Sequence, residues 1–67
     1  MSSPLKVLIG RVRGSFFAGE VATNLIYSCR WFELQPLPDG CYEFTVKDEA
    51  GARSDLKGCD TITKGTR

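Results

Sequence analysis

The chain has 67 residues, with nine Lys and Arg against eight Asp and Glu, no histidine and 42% apolar residues. A domain of this length buries only about 60% of the surface its unfolded chain exposes, which leaves room for one core and none for a deep cavity beside it. The composition is ordinary for a globular protein and excludes a disordered chain, and a net charge of +1 lacks the basic excess of a dedicated nucleic-acid domain.

The N-terminal Met-Ser-Ser-Pro-Leu-Lys has no basic region followed by an apolar run, and the longest uninterrupted apolar run, Val7 to Ile9, is far too short to span a bilayer. The expectation is a cytoplasmic protein with reduced thiols and no membrane contact. Cys29, Cys41 and Cys59 are an odd number, without a Cys-x-x-Cys pair or a histidine, so no structural zinc site and no other cofactor is expected. A Cys41–Cys59 disulfide stays open for an exported protein.

Residues 1–4 read as a loose tail. Leu5 to Val12 reads as a strand that is partly apolar on both faces, with Leu5, Val7 and Ile9 on one side and Leu8 and Val12 on the other. Such a strand is normally central in its sheet or covered twice. Gly10 to Ser15 leads out of it, with Ser15 as a candidate N-cap. Ala18, Val21, Ala22, Leu25, Ile26 and Cys29 then repeat at helical spacing, so a helix over 18–29 should bury one face, Cys29 included.

From Trp31 the period changes to two. Phe32 and Leu34 alternate with Glu33 and Gln35, Pro36 to Gly40 makes a turn, and Tyr42, Phe44 and Val46 alternate with Glu43, Thr45 and Lys47. Ala52, Ser54 and Leu56 suggest a fourth strand, and Cys59 to Thr63 either a short edge strand around Ile62 or a wrap over the sheet. Residues 64–67 should fray. The expected fold is therefore α+β, a single domain over 1–67 ordered β-α-β-β-β, with one helix on a mainly antiparallel sheet. The alternative is a small all-β barrel in which 20–34 is one bent strand. The expected core is Val7, Ile9, Phe17, Val21, Ala22, Leu25, Ile26, Phe32, Leu34, Tyr42, Phe44, Val46 and Leu56.

Nothing in the sequence arranges catalysis. Asp48 and Glu49 are neighbours at a turn, Ser15, Ser28 and Ser54 have no basic partner at local spacing, and Cys29 beside Arg30 points inward, so the chain is not expected to be an enzyme. Leu8, Val12 and Trp31 remain without partners in a core that faces the helix. Together with Thr45 they would form an apolar patch on the outer sheet face, a protein interface. The function expected is a non-catalytic protein–protein interaction module that binds a protein of unknown identity or a second copy of itself as a homodimer. Its size class is that of small regulators and inhibitors, common in phages and other mobile elements. The alternative is a nucleic-acid-binding protein that uses Lys6, Arg11, Arg13 and Arg30 around the Gly10–Ser15 loop with nearby aromatic rings.

Overall fold

The computed structural model describes residues 5–67. Its elements are β1 (Lys6–Arg13), α1 (Ser15–Tyr27), β2 (Phe32–Pro36), β3 (Cys41–Lys47), α2 (Ala52–Asp55) and β4 (Thr61–Thr66). The four strands form one open sheet in the order β2-β3-β1-β4, and every pairing is antiparallel. The fold is thus α+β, with α1 packed on one face of an antiparallel sheet, and the barrel alternative is set aside. A β-α-β-β-α-β chain with β3 inserted between β1 and β2 has the split-βαβ, ferredoxin-like topology, here with a second helix of one turn.

The side of the sheet that α1 covers follows from the register. Leu8 pairs with Val46, Gly10 with Phe44 and Val12 with Tyr42, so these residues share a face. Leu8, Val12, Ala18, Val21, Leu25, Phe44, Val46, Ala52 and Leu56 make the core, with Ala22, Phe32, Tyr42, Cys59 and Ile62 packed at its margin. Two expectations are corrected here. Val7 is buried as expected, at 2% exposure, but on the face away from α1, and the half-buried Ile9 shares that face; both lean over Gly65, at which a Cβ would stand 3.2 Å from Ile9 Cδ1. Phe17, Ile26 and Leu34, expected inside, are 53%, 64% and 46% exposed.

The strand expected at Ala52–Leu56 is also corrected. Asp and, less strongly, Ala are depleted in strands, and Ala52 and Leu56 lie four apart, which places both on one side of a helical turn. Both are fully buried, and the Leu56 amide donates to the Ala52 carbonyl. This turn brings Leu56 and Cys59 down onto Gly10, where a Cβ would stand 2.9 Å from Cys59 Sγ. The second edge of the sheet comes from β4 instead. Residues 64–66, expected to fray, pair with β1, and Arg67 exchanges backbone hydrogen bonds with Leu5.

Gly14, not Ser15, caps α1 at its N-terminus, and Ser15 is already the first helical residue. At the other end the chain makes a Schellman turn. The Arg30 amide donates to the Leu25 carbonyl and the Cys29 amide to the Ile26 carbonyl, both at 3.0 Å. Cys29 therefore sits in the left-handed region at φ 55, exposed and turned out of the core it was expected to join. That position favours glycine, because a Cβ there crowds the neighbouring carbonyl. Cys29→Gly should accordingly stabilise the fold by about 0.5–1 kcal/mol after the greater freedom of glycine in the unfolded chain is counted. Thermal unfolding should record this as a rise of roughly 3–6 °C in Tm.

Candidate functional site: an apolar surface beside an open strand edge

The residues expected to form an interface do not come together. Leu8 and Val12 are 1% and 2% exposed in the helix-facing core, so they are corrected from surface to core residues. Thr45 lies on the opposite face, in register with Ile9 and Glu33 and half-buried. Trp31 precedes β2 and is 44% exposed. The missed signal was in β1 itself. Arg11 and Arg13 continue the row of Val7 and Ile9, and two arginines mark that row as the face away from the helix, although Val7 is itself buried there.

The basic residues are equally dispersed. Arg11 pairs with Glu43 at 3.1 Å on the open face, and Arg13 donates to the Asp39 carbonyl at 3.4 Å. Lys6 belongs to the other face and stands about 17 Å along the strand from Arg11, beside Asp48 and Lys64.

Arg30 is turned inward on the loop before α2. Its Nε donates to Asp55, Nη1 to Glu49 Oε1 at 3.1 Å and Nη2 to the Ala50 carbonyl at 2.8 Å. Its side chain is only 15% exposed. Gly51 makes room for it twice over, with φ +84 and a position where a Cβ would stand 2.6 Å from Nη2. The guanidinium holds the Asp55 carboxyl below the ordinary carboxylate range. Arg30 is thus a clamp between the end of α1 and α2, with its donors already engaged.

Cys41 and Cys59 cannot pair in this fold. Cys41 stands opposite Arg13 on the open face, whereas Cys59 packs against Gly10 on the helix face. Partial burial raises the Cys59 thiol pKa, with the charge of Asp60 acting in the same direction. Among the described residues no three His, Cys, Asp or Glu side chains gather as a metal site would require, and no helix is long and apolar enough to cross a membrane.

The surface is distinguished by large apolar side chains. Phe16 (71% exposed) and Tyr27 (84%) lie on the outer side of α1, while Phe17 and Ile26 flank it. A shallow depression lined by Val12, Arg13, Phe17, Gly58 and Asp60 places the Phe17 flank toward the loop that enters β4. Ile26 follows nine residues later, about half a turn round the helix, so it lies on the opposite flank of α1, toward the side of the sheet whose edge is β2. Leu34 lies on the helix face of that edge strand, paired with Phe44. Periodicity alone put Ile26 and Leu34 inside, because it cannot tell how wide a sheet one helix covers.

The fold and this surface define a small split-βαβ domain with an apolar flank beside an open strand edge. Comparison of the chain with protein-family models, with curated proteins and with solved structures found no match.

Proposed function

We propose that this chain is a non-catalytic protein–protein interaction module of the small-regulator kind, and that one of its partners is a second copy of itself. The observation that carries this reading is the exposure of Phe16, Ile26, Tyr27, Trp31 and Leu34 on a domain whose core is small. Large apolar side chains left exposed often mark contact sites, and aromatic residues are over-represented among binding anchors. A cytoplasmic setting accords with three unpaired cysteines.

The nucleic-acid alternative draws little from the geometry. Its four cations are split between two faces and the Arg30 clamp. The open-face row of β3 is Cys41, Glu43, Thr45 and Lys47 and that of β1 is Val7, Ile9, Arg11 and Arg13, with no ring on which a base could stack.

The test compares immobilised wild-type chain with an Ile26→Lys, Tyr27→Ser variant of unchanged circular dichroism. The wild type should retain added soluble copies of itself, and the variant should lose at least tenfold in retention. Equal retention by both would reject the apolar surface as the contact. Binding of generic single-stranded nucleic acid that weakens steeply with salt would replace this reading with the alternative.

A further inference from the structure

The two edges of the sheet differ in a way that points to the partner. β4 carries Lys64 and Gly65 along its edge, and a lysine there is a common protection against unwanted pairing. β2, Phe-Glu-Leu-Gln-Pro, has no lysine; its one charged residue, Glu33, is neutralised within the chain by Arg67, and Pro36 stands at its last position.

The backbone direction of β2 follows from its turn. The Leu37 amide donates to the Cys41 carbonyl at 2.8 Å, so Leu37 points toward β3. Antiparallel ladders bond at every second residue. Gln35 and Glu33 therefore also point toward β3, while Phe32, Leu34 and Pro36 direct their backbone groups to the open edge. Pro36, which has no N–H, costs the internal ladder nothing at that position.

Building on the self-association proposed above, we infer that β2 pairs antiparallel with β2 of a second copy about a two-fold axis through Leu34, joining the two sheets into one. In that register Leu34 faces Leu34, and each donates its amide to the other's carbonyl. Phe32 faces Pro36, so the Phe32 amide meets a carbonyl that needs only an acceptor's geometry. The proline thus falls where one copy must accept, and each Phe32–Pro36 pair forgoes one bond. Glu33, held by Arg67 of its own chain, falls opposite Gln35, so no like charges are directly opposed. Sliding the axis to Glu33 or Gln35 would set two carboxylates or two amides against each other and shorten the overlap.

The register also accounts for the apolar flank. A two-fold axis perpendicular to the sheet keeps both α1 helices on one side, so the Ile26 flank of each α1 lies on the side of the Leu34 seam. One step beyond the strand, the exposed Trp31 comes opposite Leu37 of the second copy. At β4 the corresponding axis through Lys64 would oppose two ammonium groups, and one through Thr63 would set Ile62 against Lys64.

Residue-resolved hydrogen exchange on the full chain, at low and at high protein concentration, tests the pairing. The Phe32 and Leu34 amides should be protected at high concentration and exchange at least tenfold faster on dilution, while Glu33 and Gln35 stay protected throughout. Leu34→Lys should weaken dimerisation at least tenfold, and Thr63→Lys on the β4 edge should leave it within twofold. A dimer whose Phe32 and Leu34 amides exchange freely would overturn this register and leave self-association standing. A chain that stays monomeric at every concentration would overturn both this inference and its self-association premise.

Discussion

Phe44→Ala should be the most damaging single substitution in the core, with an expected cost of about 3–5 kcal/mol. Phe44 is fully buried. It sits on the central strand β3, opposite Gly10 of β1 and Leu34 of β2, and its ring lies 5.9 Å from that of Phe32. The space left by the missing side chain at Gly10 is already occupied by Cys59 and Leu56, which limits how far they can collapse into the cavity. A chain of this length is worth roughly 3–10 kcal/mol in total. Urea unfolding at 25 °C should find Phe44→Ala without a native baseline or close to losing one, whereas Phe44→Leu should retain a cooperative transition. A loss below 1 kcal/mol for the alanine variant would mean that the core is not centred on β3.

Arg30→Ala comes second, with an expected loss of about 2–3 kcal/mol. Hydrogen bonds to charged groups contribute about 1.5–3 kcal/mol, and removing one partner leaves Asp55 with its desolvation uncompensated. The value lies below that of a fully buried pair because water still reaches Glu49. Arg30→Lys should recover less than half of the loss, since an ammonium cannot reproduce the planar fork that reaches Asp55, Glu49 and the Ala50 carbonyl together.

The pH dependence supplies a second signature of the same clamp. Because the folded Asp55 carboxyl lies below its unfolded value, its contribution is full above the ordinary carboxylate pKa of about 3.9 and is lost as pH falls through the folded value. Acidification below about pH 4 should therefore lower the wild-type Tm more steeply than that of Arg30→Met, which keeps only the smaller contribution of Ser28. Parallel curves for the two proteins would show that Asp55 is not held by Arg30.

Part of this architecture is legible in the sequence. The spacing of Ala18, Val21 and Leu25 identifies the buried face of α1, and the alternation of Phe44 and Val46 identifies that of β3, because each set repeats with the period of its own element. β1 is ambiguous to that test. Both of its rows are apolar at the start, Val7 is buried on one and Leu8 on the other, and only Arg11 and Arg13 at its end show which row faces away from α1. α2 is too short to show a period, and Ala52 and Leu56 satisfy strand and helix spacing alike. Arg30 looks like a free cation because its acidic partners, Glu49 and Asp55, arrive from far along the chain. The open edge of β2 is invisible before the strand order is known, since it exists only because β4 takes the opposite side of β1.

The mass of the purified chain as a function of concentration tests the central claim most directly. Light scattering or sedimentation from micromolar to millimolar protein should move from 7.4 kDa toward twice that value, and Leu34→Lys should hold the chain at the lower mass over the same range. A wild-type mass of 7.4 kDa at every concentration would contradict the account.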